Sequence, residues 1–169
     1  MPIEPQHLLE QADNLAGSAS QGRPRGADLR RAISAAYYAI FHFVLRAAVD
    51  SVVPVSKRSG GQYTRVYRGI EHRALRELCK ALSGASLPSK YLAHAPVGGF
   101  GSNIRSFATA LIDLQEKRYL ADYDPQFQVT KSDALLTIST ARTALVRFDS
   151  APLDEKETFL NLLLFPPRQ

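Results

Sequence analysis

The chain has no tryptophan, one cysteine and one methionine among 169 residues. A lone Cys79 excludes an intramolecular disulfide framework and any zinc site built from paired cysteines. It fits a reducing compartment. Ten glycines and ten prolines are too few for a low-complexity chain, and 45% apolar residues exclude a wholly disordered one. Phosphate loops, nucleophile elbows, zincin motifs and dinucleotide fingerprints are all missing, so the residues call for neither a metal nor a cofactor. The opening MPIEPQHLLEQ has Pro, Glu and His where a secretory signal needs a basic start and an apolar run. The expected location is the cytoplasm.

What is present in excess is positive charge, and it is concentrated. The net charge is +5 with a pI near 9.5. Between Lys57 and Lys80 stand seven basic residues against two acidic ones, an excess equal to the net charge of the whole chain. Such a segment can bind a phosphate backbone by releasing counterions. The plainer alternative is a solvated helix face whose Lys and Arg stems cover apolar surface.

The periodicity is helical throughout. Residues 4–18 repeat apolar side chains at helical spacing, and 18–27 reads as a connector. Asp28 stands where an N-cap belongs, before a long helix over about 29–53. That helix is apolar almost all round from Ala32 to Val49, the pattern of the buried central member of a bundle. A membrane span is the competing reading. His42, Arg46 and the adjacent Arg30 and Arg31 argue against it. A third helix is expected over 64–82 and a fourth over 102–121. A fifth, capped by Thr130 or Ser132, runs to about 149, and a sixth covers 153–164. The long connection at 83–101 carries Gly84, Gly98, Gly99 and Gly101. The predicted fold is all-α: one domain over 1–169, an up-and-down bundle of about four to six helices.

Four places carry potential chemistry. GGFGSN at 98–103 resembles a glycine loop before a helix N-terminus, which can hold an anion or serve as a plain connector. On the second helix Arg31, Ser34, Tyr38, Phe41 and His42 share a face, as core hydroxyls and imidazole or as a site. On the third, Arg65, Arg68, His72, Arg76 and Cys79 follow at three- or four-residue steps. Neighbouring guanidinium groups would hold His72 neutral. A neutral imidazole beside phosphate-gripping cations is the minimum equipment for RNA cleavage without a metal. An exposed basic stripe is the structural alternative. On the fourth, Arg118, Asp122 and Tyr123 lie within one turn, as a helix-end clamp or a small polar site.

Three segments taken together resemble the HEPN superfamily of small helical-bundle domains from prokaryotic defence and toxin systems. LRRAISAAYYAIFHFVL is similar to the R-x-x-S-x-A-Y-Y-A-x-F-H helix of one branch. VYRGIEHRALRELC is similar to its Y-R-x-x-D/E-H helix, and FATALIDLQEKRYLADYD to its L-Q-x-x-R-x-x-A-D-Y-D helix. They cover about 95 residues in the family's order. The resemblance implies a HEPN-like bundle that dimerises and associates with RNA, partnered by an antitoxin or a nucleotidyltransferase. In catalytic members an Arg and a His four to six residues further on form a metal-independent endoribonuclease site. The Arg falls on Arg118, whereas Asp122 and Tyr123 stand where the His belongs. The expected site is therefore His72, Arg118, Asp122 and Tyr123, with Arg65, Arg68 and Arg76 on the RNA. The alternative is a non-catalytic interaction or scaffold module. The apolar LNLLLF near the C-terminus is the sequence's own pointer to a homodimer.

Overall fold

The computed structural model describes residues 3–17 and 23–167, so 18–22 of the expected connector lie outside the described residues. The helices are α1 (Pro5–Leu15), α2 (Gly26–Asp50), α3 (Gly61–Gly69), α4 (His72–Ser83), the single turn α5 (Ser89–Leu92), α6 (Ser102–Tyr123), α7 (Lys131–Asp149) and α8 (Leu153–Leu164). The described residues contain no strand. The all-α bundle is as the periodicity predicts, with eight α-helices among the described residues against the four to six expected.

α2 is the axis. Fourteen of its 25 residues are buried, and α1, α6 and α7 pack around it. It is long and apolar enough to cross a membrane, but 72% of its apolar window is buried inside the bundle. Packing in the bundle is thus sufficient to account for the apolarity. Contacts set the directions. Arg46 near the end of α2 pairs with Glu4 at the start of α1, and Ser34 near the start of α2 reaches Asp122 at the end of α6. α1 and α6 therefore run antiparallel to α2, whereas α7, which sets Phe148 near its end against Phe43 near the end of α2, runs parallel to it. Below α2 the core is aromatic: Phe107, Phe148 and Phe159 meet edge to face or tilted at 4.9–5.8 Å. Burying each ring is worth about 1.5–3 kcal/mol.

Three expectations are corrected. Asp28 is not the cap of α2 but a residue of its first turn. Its carboxylate accepts from the Arg25 backbone N–H at 3.3 Å and from the Arg25 guanidinium at 2.9 Å. The third helix is two: Ile70 and Glu71 are extended (ψ 113° and 139°). Gly69 is the poorest helix former of that run, and the break lets Ile70 bury to 8% exposure. Arg65 and Arg68 on α3 consequently do not share a face with His72 and Arg76 on α4, and Cys79 is buried. The apolar C-terminal helix is not a free surface either. Phe159, Leu160, Leu162 and Leu163 are buried within their own chain, leaving Phe165 exposed. The homodimer expectation loses that argument.

Two long-range clamps hold the ends of α6. At its N-terminus the Gly101 N–H donates to the Glu155 carboxylate at 2.9 Å. A Cβ at Gly101 would lie 3.0 Å from Glu155 Oε1. Of the two readings of this glycine loop the connector holds, with the protein's own carboxylate at the positive end of the helix. At the C-terminus Arg30 donates to the carbonyls of Ala121 (3.1 Å), Asp124 (2.7 Å), Pro125 (3.3 Å) and Phe127. A planar guanidinium with five donors can satisfy several carbonyls at once. It fixes the turn that follows Asp122 and Tyr123.

Candidate functional site

Three helices converge beside that turn. From α2, helical spacing of four places Tyr37 over Phe41, their rings stacked at 5.9 Å. Tyr38, the next residue, packs edge-on to Tyr37 at 5.3 Å. From α4 comes His72, the first residue of the helix, where Glu71 opens the turn. Its ring lies flat on Phe41, 3.8 Å between centroids and 9° between planes. Its Nδ1 is 3.3 Å from the Tyr37 hydroxyl. From α6 come Arg118 and Asp122, one turn apart, and the tilted pair Tyr119 and Tyr123 at 5.3 Å.

Arg118 is the centre of this cluster. Its guanidinium carbon lies 5.4 Å from the centroids of both Tyr37 and Tyr38 and 5.9 Å from that of Tyr123. Each such contact is worth about 0.5–2 kcal/mol, more as water is excluded. Its side chain is 16% exposed, and the nearest carboxylate oxygen is Asp122 Oδ2, 3.7 Å from Nε. The other Asp122 oxygen accepts from the Ser34 hydroxyl. Nε is buried and makes no hydrogen bond. A desolvated guanidinium held by rings and an offset carboxylate lacks a full set of acceptors.

The electrostatics follow from this packing. Burial lowers the His72 pKa from its ordinary 6.5, and the Arg118 charge lowers it further. The sequence reading anticipates the direction but not the cause: the guanidinium belongs to Arg118 of another helix, not to Arg68 or Arg76. Burial also pushes the Tyr37 hydroxyl up to about 12, against the opposing pull of Arg118. The imidazole is therefore neutral near pH 7. When Nδ1–H donates to the Tyr37 oxygen, Nε2 is left as the free base.

The structure brings together His72, Arg118, Asp122 and Tyr123 from the expected site, and adds Arg76. Arg76 and Arg118 line a cleft of about 510 Å³ together with Gln115, Glu116 and Tyr119. Tyr123 lines a second cleft of about 480 Å³ together with Arg31, Ser34, Tyr38 and Asp122. Arg68 is elsewhere, in a cleft with Arg58, Tyr63 and Tyr67. Arg65 is exposed on the same helix. His42 is a packing residue: its Nδ1 is 2.6 Å from the Tyr67 hydroxyl. Tyr37 and Tyr119 were not expected in the site. The adjacent tyrosines of an otherwise apolar helix were the available signal, and they read equally well as core. Among the described residues no group of three or more His, Cys, Asp or Glu side chains is placed to hold a metal ion. Compared with known proteins, the chain matches no family model, no curated protein and no solved structure.

Proposed function

We propose that this chain is a HEPN-type, RNA-associated domain of a defence or toxin–antitoxin system, and that Arg118 receives a phosphodiester of RNA with His72 as the base for its cleavage. One observation carries the reading: a guanidinium mostly withdrawn from water, held over three tyrosine rings, with a buried donor that no protein acceptor satisfies. A phosphate offers several anionic acceptors in a geometry that suits arginine. Arg76 in the same cleft adds a second cation. Tyr123 borders the guanidinium, where its hydroxyl can orient the phosphate.

The cleavage step needs no metal. The neutral His72 imidazole takes the proton of a ribose 2′-hydroxyl, and the 2′-oxygen forms a bond to phosphorus. The 5′-oxygen leaves with a proton from water, giving a 2′,3′-cyclic phosphate and a 5′-hydroxyl. Arg118 and Arg76 offset the charge that grows on the phosphate.

The test is binding and cleavage of a labelled RNA in excess chelator. Wild type is expected to bind and to leave cyclic ends. His72→Ala is expected to keep binding and to lose about 10²–10⁴-fold in rate, the usual cost of a positioned base. Arg118→Ala is expected to lose both. Binding that depends on Arg118 without any cleavage would leave the non-catalytic module, which the Asp122–Arg118 pair favours because it partly neutralises the cation. Absence of binding would remove the RNA reading altogether.

A further inference from the structure

Resting on that reading, we infer that Tyr119 and Tyr123 form a stacking platform for unpaired bases, so that the site takes single-stranded RNA in preference to duplex RNA. Both rings are largely exposed, 61% and 65%. They stand one turn apart on α6 and are tilted by 47°, so they present a stepped aromatic surface rather than a closed pair. Every base has a π-face, and a ring exposed beside cations is how proteins hold single strands without reading sequence.

The surroundings fit a nucleic-acid strand better than a second apolar surface. Tyr119 borders the cleft with Arg76 and Arg118, and Tyr123 borders the one with Arg31. Each ring thus borders a cleft that also holds arginine cations able to meet phosphates. The acidic groups in the two clefts are Glu116 and Asp122. Asp122 is already engaged by Ser34 and Arg118, which leaves Glu116 as the opposing charge. A duplex keeps its bases stacked inside and can reach only the cations.

The experiment is fluorescence anisotropy with a labelled ten-nucleotide RNA, the same strand made abasic at its central positions, and the corresponding duplex. Wild type is expected to bind the intact strand at least about fivefold more tightly than the abasic one or the duplex, the size of one base–aromatic stack. Tyr119→Ala with Tyr123→Ala should erase that difference, and Tyr119→Phe with Tyr123→Phe should keep it. Circular dichroism checks that all variants stay helical. Equal affinity for the three wild-type ligands, or a preference that survives the alanine pair, would overturn the platform while leaving RNA binding in place. A wild type that binds none of them would overturn the RNA reading itself. A homodimer in solution that the alanine pair dissociates would also overturn the platform, because the rings would then be covered by a second copy.

Discussion

Removing the Glu155 carboxylate tests how α6 is held in register with the bundle. Glu155 is only 9% exposed, and it accepts the Gly101 N–H at 2.9 Å where α6 begins. Glu155→Ala removes a charge-assisted bond worth about 1.5–3 kcal/mol. It also leaves that N–H short of an acceptor, although water entering the space recovers part of the loss. Losing a negative charge at a helix N-terminus costs a further ~0.3–1 kcal/mol. The sum is about 2–3 kcal/mol, which lowers Tm by about 4–12 °C in a chain of this size. Glu155→Gln keeps the acceptor and loses only the charge, so it should cost roughly 1 kcal/mol. Urea titration followed by circular dichroism at 222 nm measures both. Gly101→Ala supplies the complementary perturbation, since its Cβ would press on Glu155 Oε1 at 3.0 Å. Its cost should shrink in the Glu155→Ala background. Equal stability of Glu155→Ala and wild type would refute the argument. The glycine loop would then be open to an external anion.

Two further perturbations address the histidines. His42→Ala should destabilise the bundle by about 1–3 kcal/mol in urea titration, because it strands the Tyr67 hydroxyl, which burial pushes up to about 12. Tyr67→Phe in the same background should recover part of that loss. An unchanged midpoint for His42→Ala would show that the Tyr67 hydroxyl needs no partner. Burial lowers the pKa values of both His42 and His72 below 6.5, their mutual proximity adding to His42 and Arg118 to His72. In the window just below 6.5 the unfolded chain therefore binds protons that the folded chain does not, so stability falls as the pH drops from 7.5 to 5.5. The carboxylates paired in the fold, Asp28, Glu77 and Asp133, have lowered pKa values and titrate below this window. A His42→Ala, His72→Ala double variant should flatten the profile there, and an undiminished slope would assign it to other groups.

The helices were legible because their information is local. Apolar spacing over 102–121 and about 130–149 needs no knowledge of the rest of the chain, and α6 and α7 fall there to within two residues. Thr130 as a cap was equally readable: its hydroxyl accepts from the Asp133 N–H three residues away. The break at Ile70 was not, since Glu71 and His72 continue a helical pattern and only the depth of the core decides that Ile70 turns inward. The surface at the C-terminus was misread for the same reason. LNLLLF looks unpartnered until Leu160, Leu162 and Leu163 are seen buried in the core of their own chain.

The site divides along the same line. The sequence alone placed Arg118, Asp122 and Tyr123 within one turn of one helix, because 3.6 residues per turn dictates that. It also supplied a histidine with a basic neighbourhood. Only the tertiary structure decided which cation that histidine faces. His72 and Arg118 belong to antiparallel helices, and Tyr37 of a third helix lies between them, hydrogen-bonded to one and beneath the other. Packing of α4 and α6 on α2 creates that arrangement, and spacing within a single helix cannot encode it. Desolvation, which lowers the His72 pKa and leaves Arg118 Nε without an acceptor, exists only once those three helices close over the same tyrosines.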